Sequence, residues 1–545
     1  MTLTHTQPVT SGPLLDSREW EGRGFGGEWH ALDRTADVIE PATGDTLATI
    51  GMASPADISH AAQVAAHAQP AWAAAPFGDR GAVLRGAAEL AQANLDDIVT
   101  WIMRESGSTK VKAQFELSIT ITALFEASAM PSQPQGVVHP STPGRVSMSR
   151  RVPIGVVGVI SPFNFPLYLA MRAVAPALAV GNAVVVKPDP RTAVSGGVVI
   201  ARLFEMAGLP AGVLHVLPGG GDAGAAICEA PEIGFVQFTG STAAGRKVGE
   251  TASGHLKKVS LELGGKNPLI VLDDVDLDIA VDTTVWGTML HQGEICMSTG
   301  RVLVHEDIAD EFTRRLTARV AGLVAGDPMD PTTSAGPIID ERQRDSIHSL
   351  VTSTVASGAT LETGGTYQGL CYAPTVLSGV TPGMPAYDNE VFGPVAIVTT
   401  FANDDEAVTL ANDTEYGLAA AVIGHDLARA TAIGDRLNAG LVHINDQTVG
   451  DDVVVPFGGV GASGNHTSIG GPANWEEFTQ WRWTTSQASQ PAYTTSRWAD
   501  ADVGDLPQQP TGAAGALKAP WRRRSTATTP GPLVPAQTTR PRRLS

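Results

Sequence analysis

The sequence predicts an α/β protein with two parallel-sheet domains and a small additional β segment. From Pro153 onward, short apolar, β-branched runs alternate with helical stretches. This rhythm is typical of parallel strands that helices cover on both faces. The alternation restarts near Asn267, and the length of 545 residues leaves room for several domains. Two α/β units with a cleft between them are therefore expected.

The first unit is predicted from the following segments. An Ala-rich amphipathic pattern from Ser54 to Asn94 predicts two helices separated by a break at residues 75–78. Continuously apolar runs then predict strands at residues 154–160, 183–187, 213–217 and 234–238, with helices near residues 167–179 and 195–207 between them.

The second unit repeats the pattern. Strands are predicted at residues 267–272, 301–305, 396–401 and 441–445, and helices at residues 278–290 and 307–324. Residues 1–19 and the Pro- and Arg-rich residues 486–545 lack periodicity and are expected to be unstructured. A polyanion-binding arm is the alternative for the C-terminal segment.

Charge and cysteine content exclude several classes of function. Lys and Arg number 37 against 56 Asp and Glu, a net charge of −19 that disfavours binding to nucleic acid or anionic membranes. The three cysteines form no disulfide framework and no Cys/His cluster with zinc spacing, so no metal is expected. No signal sequence or membrane span is recognisable, which predicts a cytoplasmic protein.

Cys296 is the first candidate for chemistry. It lies in HQGEICMSTGR, from His291 to Arg301, between a predicted helix and a predicted strand. A thiolate is a strong nucleophile near neutral pH, whereas most free cysteines are small buried apolar side chains. The Gly, Ser and Thr residues around this thiol favour the nucleophile, because a tight polar turn fills a core poorly.

Glu262 is the second candidate. It lies in LELGGKNP at the end of a strand-like run. Burial among apolar neighbours would raise its pKa toward the range of a general base. A salt bridge to Lys257, Lys258 or Lys266 is the alternative, and only pairing with a nucleophile decides between them.

Two Gly-rich turns indicate a nucleotide site. FTGSTAAG contains Gly240, Ser241 and Gly245 where a predicted strand gives way to a helix, and PGGGDAG contains Gly220 in the preceding unit. Such turns allow phosphate oxygens to approach backbone amides at a helix N-terminus. Neither matches the strict GxGxxG pattern, but two in consecutive βα units favour a bound nucleotide.

Seven segments in their order resemble the aldehyde dehydrogenase superfamily over about residues 20–485: GVVGVISPFNFPL, KPDP, FTGSTAAGR, LELGGKNP, QGEICMSTGR, EVFGPV and PFGGVGASG. Within it, HQGEICM, NDQTVGDD and PFGGVGASGN followed by GGPANWEEFTQW resemble the benzaldehyde and vanillin dehydrogenase branch. The resemblance implies NAD(P)-dependent oxidation of a benzaldehyde-like aromatic aldehyde to its carboxylic acid.

The resemblance also implies a domain organisation. A Rossmann-like cofactor domain would comprise residues 20–129 and 153–263, and a catalytic domain residues 264–471. Strands in residues 130–152 and 472–485 would join subunits into a homodimer or homotetramer.

In the implied mechanism, Cys296 attacks the aldehyde to form a thiohemiacetal. The side-chain amide of Asn164 and the Cys296 backbone N–H stabilise the oxyanion. Glu262 then activates the water that hydrolyses the thioester.

The implied cofactor contacts follow the family motifs. Lys187 would contact the adenosine ribose, Gly240 and Ser241 the pyrophosphate, and Glu390 with Phe392 the nicotinamide ribose. Ile160, Gly220 and Gly245 complete the implied cofactor site.

Two positions depart from the family pattern. Many NAD-preferring relatives carry Glu three residues after the lysine, where this chain has Pro190, preceded by Asp189. NAD is expected and NADP stays open. Ser468 stands where many relatives carry a Glu two residues before a Gly, so Glu262 or solvent would replace any proton relay there.

Four aromatic residues are candidates for the walls of a substrate pocket: Phe163, Tyr168, Trp286 and Phe457. Core packing explains each of them equally well. His291 is interpreted as structural, although a contact with a ring substituent or the thiol is the alternative.

Other functions are also compatible with the sequence. Vanillin-type, salicylaldehyde-type or broad-range aldehyde oxidation are alternatives within the family, and CoA-acylating relatives usually lack the carboxylate that Glu262 supplies. Cofactor-free ester hydrolysis is expected only as a side reaction. The non-enzyme alternative is a catalytically silent oligomeric protein. The presence of all five chemical groups that the family uses argues against it: Asn164, Lys187, Glu262, Cys296 and Glu390.

Overall fold

The computed structural model describes residues 13–489. Within this range the protein forms two compact units, residues 13–136 with 150–482 and residues 137–149 with 483–489. None of the helices between residues 13 and 489 is long and apolar enough to span a membrane. Cys228, Cys296 and Cys371 are free thiols.

Polar N-cap side chains begin several helices, including the capping box of Ser54 with Asp57. The helices are α1 (Ser17–Trp20), α2 (Pro55–Ala74), α3 (Phe77–Ala93), α4 (Leu95–Ser106), α5 (Lys110–Ala129), α6 (Pro166–Ala179), α7 (Val199–Met206), α8 (Gly221–Glu229), α9 (Thr242–Gly254), α10 (Leu277–Met289), α11 (Glu306–Ala321), α12 (Glu341–Ala356), α13 (Pro385–Asp388), α14 (Asp404–Asn412), α15 (Leu427–Gly434) and α16 (Ala473–Phe478).

The strands are β1 (Arg23–Phe25), β2 (Trp29–Ala31), β3 (Arg34–Ile39), β4 (Thr46–Met52), β5 (Gly136–His139), β6 (Arg145–Pro153), β7 (Val156–Ile160), β8 (Ala183–Lys187), β9 (Leu214–Val216), β10 (Ile233–Thr239), β11 (Lys258–Glu262), β12 (Asn267–Val271), β13 (Thr299–His305), β14 (Thr360–Thr363), β15 (Tyr367–Gln368), β16 (Cys371–Tyr372), β17 (Thr375–Ser378), β18 (Val395–Phe401), β19 (Tyr416–Gly417), β20 (Ala419–Ile423), β21 (Leu441–Ile444), β22 (Val460–Gly461) and β23 (Thr479–Gln487).

The first large sheet has the order β11-β10-β7-β8-β9-β1-β2, and the strands from β11 to β9 are parallel. β7 and β8 are buried along their whole length, as expected for strands covered on both faces. The parallel register pairs Ile160 with Lys187 and Thr239 with Glu262. The carboxyl ends of these strands therefore meet at one edge of the sheet.

The second large sheet has the order β14-β17-β18-β13-β12-β20-β21 and is parallel except for the edge strand β14. Its central strands β12 and β20 are completely buried. The α/β class with two parallel sheets is confirmed.

The smaller unit contains most of a three-stranded sheet in which β6 lies between β5 and β23. The indole N–H of Trp483 donates to the Ser147 hydroxyl. Val138 and Trp483 are 72% and 65% exposed, so this sheet presents large apolar side chains to its surroundings.

Two sequence predictions need correction. Residues 13–19 are ordered, because Asp16 caps α1 and Leu14 is buried; residues 1–12 and 490–545 lie outside the described residues. The helix predicted at residues 195–207 begins as a π-helical turn over Val194–Val198 and becomes α-helical only at Val199.

Candidate active site

A large cavity of about 960 Å³ lies at the carboxyl ends of the parallel strands of the first sheet. Residues from β7, β8, β10 and β11 and from loops of the second sheet meet there. The cavity brings together eleven of the residues singled out in the sequence: Ile160, Phe163, Asn164, Lys187, Gly220, Gly240, Ser241, Glu262, Cys296, Glu390 and Phe392.

Cys296 lies on a constrained loop between α10 and β13. His291 and Gln292 have φ values of 49° and 44°, a left-handed conformation that few non-glycine residues adopt. The side-chain amide of Asn267 holds the loop by donating to the carbonyl of Cys296 at 2.8 Å. Burial, together with the nearby carboxyl groups of Glu390 and Glu262, raises the pKa of the Cys296 thiol to about 12. The free protein therefore holds a neutral thiol.

Asn164 follows β7 and faces the same loop. Its side-chain Nδ2 donates to the carbonyl of Glu294 at 2.9 Å, two residues before the thiol. Its own backbone carbonyl accepts a 2.6 Å hydrogen bond from Lys112 Nζ. Both ends of Asn164 are thus held, and its amide can donate to an oxygen that becomes charged beside Cys296.

Glu262 is the last residue of β11 and is 4% exposed. Neither carboxyl oxygen has a hydrogen-bond partner among residues 13–489. Burial raises its pKa well above the ordinary value, and the Arg172 guanidinium opposes that shift. Glu262 therefore forms no salt bridge with a lysine among these residues, and its carboxyl group suits proton transfer.

The residues of the large cavity fit a dinucleotide. Two helix N-termini line it: α8, which has no side-chain cap, and α9, which Ser241 caps. Such ends bind pyrophosphate oxygens. Lys187 Nζ is held by the carbonyl of Gly219 at 2.9 Å, and Glu390 Oε1 accepts from the Gly265 N–H at 3.0 Å. An amine and a carboxylate are therefore available for ribose hydroxyls.

Several predicted contacts lie elsewhere. Gly245 does not line the cavity; a Cβ there would lie 2.3 Å from the Leu263 side chain, so it serves close packing of α9. Phe163 lines the large cavity together with Cys296 and lies under the Arg191 guanidinium at 4.3 Å, so its place in a substrate pocket stays a prediction. Trp286 is 48% exposed and lines none of the cavities that contain the thiol.

The other two aromatic candidates lie near a buried ion pair. The Tyr168 hydroxyl donates to Asp451 Oδ2 at 3.0 Å, and Arg172 Nη1 donates to the same oxygen at 2.7 Å. The guanidinium of Arg172 lies 4.3 Å from the centre of the Phe457 ring. Tyr168 and Arg172 also line a second cavity of about 300 Å³, whereas Phe457 lines a third, small cavity with Cys296 and Glu262.

Sequence reasoning missed Arg172 and Gln237, which both line the small cavity. Arg172 is a lone charge in the apolar helix PLYLAMRAVAPALA, and Gln237 is a lone amide in the apolar strand IGFVQFT. A polar side chain inside an otherwise apolar element was the available signal. His291, interpreted as structural, is buried with its ring 5.9 Å from that of Phe165.

Fold and site together define an α/β oxidoreductase with a dinucleotide cleft beside a partly buried thiol. Residues 29–484 match the aldehyde dehydrogenase family. The chain belongs to that family and is an enzyme that uses a nicotinamide cofactor.

Relatives agree over nearly their full lengths. A vanillin dehydrogenase from Amycolatopsis sp. is 54% identical, covering 88% of this chain and 99% of the relative. A benzaldehyde dehydrogenase [NAD(+)] from Pseudomonas putida is 47% identical, covering 87% and 97%. The crystal structure of betaine aldehyde dehydrogenase from Staphylococcus aureus in complex with NAD+ has a TM-score of 0.85 at 29% identity, covering 88% of this chain and 98% of that one.

Proposed function

We propose that the protein oxidises benzaldehyde-like aromatic aldehydes to carboxylic acids with NAD. The observation that carries this proposal is the surroundings of Cys296, which packs in an apolar cluster containing Phe165, Phe457, Ile295 and Met297. Such walls suit a flat ring next to the thiol. The 54% and 47% identities to the vanillin and benzaldehyde dehydrogenases support the same substrate class.

The residues divide the reaction as follows. As the sulfur of Cys296 bonds to the aldehyde carbon, its thiol proton passes to water, and the oxygen that gains charge accepts hydrogen bonds from Asn164 Nδ2 and the Cys296 N–H. When bound, the oxidised nicotinamide supplies the hydride acceptor that turns this adduct into a thioester. Glu262 takes a proton from the water that attacks the thioester, and the acid leaves.

The aldehyde is proposed to approach from the 300 Å³ cavity, since the large cavity is needed for the dinucleotide. Arg172 lines both the 300 Å³ cavity and the small cavity that contains Cys296. The Tyr168 and Asp451 groups beside it offer polar contacts to ring substituents. Vanillin-type and salicylaldehyde-type substrates are therefore included in the test.

NAD is the proposed cofactor because no free cation among residues 13–489 stands at the turn after Lys187. Arg191 is bound by Asp189 at 2.8 Å and by Asp340 at 2.6 Å. The Asp189 charge disfavours a 2′-phosphate nearby. The NAD-dependent relative supports this choice.

Initial rates of reduced-nicotinamide formation test both proposals. Benzaldehyde, vanillin, salicylaldehyde and a short aliphatic aldehyde are each assayed with NAD and with NADP, beside Cys296→Ala. We expect aromatic turnover with NAD that the substitution abolishes. Turnover of the aliphatic aldehyde alone would contradict the substrate class, and a higher kcat/KM with NADP would contradict the cofactor assignment.

We propose a homodimer or homotetramer formed through the sheet of β5, β6 and β23, because Val138 and Trp483 expose large apolar side chains there. Light scattering of the protein and of Val138→Glu tests this. A smaller species is expected for the variant, and a monomeric wild type would contradict it. The cytoplasmic location stays a prediction.

A further inference from the structure

A small cavity beside Cys296 adjoins the large cavity and shares Thr239, Glu262 and Cys296 with it. The centre of a water molecule can occupy about 10 Å³ of it, which is room for one enclosed water. Its polar lining consists of Arg172, Gln237, Thr239 and Glu262, next to the thiol. The rest of the lining is apolar, and a cavity of this kind holds an ordered water where two to four polar groups reach it.

Three of these side chains have polar atoms that need a partner. Gln237 Oε1, Arg172 Nε and both Glu262 oxygens are buried and have no hydrogen-bond partner within residues 13–489. The side chains are 2%, 5% and 4% exposed. Buried polar groups in proteins are almost always paired, with protein or with water. Donors and acceptors that converge on one small cavity therefore point to a shared partner.

In Arg172, Nε is the guanidinium nitrogen that has no hydrogen-bond partner within residues 13–489. Nη1 donates to Asp451 Oδ2 at 2.7 Å and Nη2 to the Ile469 carbonyl at 2.9 Å. The planar guanidinium also stacks on Phe457. Because both ends of the fork are held, the side chain cannot swing away, and Nε remains as the free donor.

The backbone of Gln237 is fixed by its place inside the first sheet. It lies on β10, which pairs with β11 on one side and with β7 on the other, and its register partner is Ser260. A water in the cavity can donate one hydrogen to Gln237 Oε1 and the other to Glu262, and accept one from Arg172 Nε. The second lone pair of the water oxygen then remains available for attack on a carbon atom.

We propose that Gln237 and Arg172 are positioning residues, which hold beside Glu262 the water that hydrolyses the thioester on Cys296. The inference rests on the proposed function. The water oxygen bonds to the thioester carbon while one of its protons passes to the Glu262 carboxylate. The carbon–sulfur bond then breaks, its electron pair returns to the Cys296 sulfur, and the acid leaves with the second water proton.

Gln237→Met, which keeps side-chain length but cannot bind water well, tests this in stopped flow with benzaldehyde and NAD. We expect a burst of about one reduced nicotinamide per site, followed by turnover roughly tenfold slower than in the wild type, the effect of one lost hydrogen bond. Hydroxylamine, which attacks a thioester in place of water, should restore turnover. Ser260→Ala is the matched control on the neighbouring strand; it loses a hydrogen bond to Thr467 and should turn over normally.

If Gln237→Met does not fold, Gln237→Ala provides a second variant. It shortens the side chain rather than replacing it with one of similar length. Normal steady-state turnover in a folded Gln237 variant would overturn the inference, as would a burst that is itself slowed and not rescued by hydroxylamine. A wild type that forms no reduced nicotinamide from aromatic aldehydes, in the burst or at steady state, would instead overturn the proposed function. The two failures are therefore distinguishable.

Discussion

Replacing Lys112 with methionine removes one half of a completely buried ion pair. Lys112 Nζ lies 2.6 Å from Glu116 Oε2, and both side chains are 0% exposed. Nζ also donates to the Asn164 carbonyl and lies 4.2 Å from the centre of the Phe165 ring. Methionine keeps most of the apolar stem, so the variant tests the charge rather than the packing.

The expected cost follows from what is left behind. Removing one partner of a buried pair leaves an uncompensated charge, which costs about 3–5 kcal/mol. Glu116 Oε1 also accepts from the N–H groups of Leu167 and Tyr168 at the start of α6. The double variant Lys112→Met/Glu116→Gln keeps that acceptor and removes the charge. Its cost should fall to about 1–2 kcal/mol, mainly the hydrogen bond to Asn164.

Urea unfolding followed by tryptophan fluorescence, at one protein concentration and without cofactor, measures both variants. The rate of the aldehyde-dependent burst is measured on the same preparations, since a freed Asn164 carbonyl should slow acylation in both. A double variant as unstable as the single one would refute the charge argument. A single variant as stable as the wild type would refute the importance of the pair altogether.

Three further outcomes are expected. Asn164→Ala should slow the burst about 10²–10³-fold by removing an oxyanion donor, whereas an unchanged burst would assign the amide a structural role only. Gly245→Ala should destabilise the fold by about 1–3 kcal/mol through overpacking against Leu263, with the KM for cofactor unchanged; a raised KM would place the residue in the cofactor site. Burial raises the pKa of Glu294 to about 8, so the folded state keeps a proton that the unfolded state releases, and stability should fall as pH rises from about 4.5 to 8. Glu294→Gln should make that fall less steep in thermal unfolding across this range, and an equal slope would contradict the assignment.

Much of the site was predictable because its signals are local. Cys296, Glu262 and the Gly-rich turn at Gly240 follow strands or helices whose apolar runs are legible in the sequence, and the large cavity brings them together. Asn164 and Glu390 were recognised only through the family motifs. Physical reasoning alone left Glu262 undecided between a base and a salt bridge.

The errors concern residues whose surroundings come from distant parts of the chain. Trp286, ten positions before the thiol, is exposed on α10. The position of a residue around the helix axis decides whether its side chain faces solvent or the core. Phe163, adjacent to Asn164, lies under the Arg191 guanidinium, a contact that its neighbours in the sequence do not indicate. Nearness in sequence to a catalytic residue does not specify which side of it an aromatic ring occupies.

The sequence by itself determined the two-sheet α/β class, the order of the strands along the chain and the chemical groups available, because apolar periodicity and turn residues act over short distances. Only the tertiary structure decided that Arg172 meets Asp451, 279 positions away, and that Gln237 shares a small cavity with Glu262. Those contacts depend on how the two sheets and their helices pack. The sequence around a lone polar residue in an apolar segment does not indicate which distant residue it will contact.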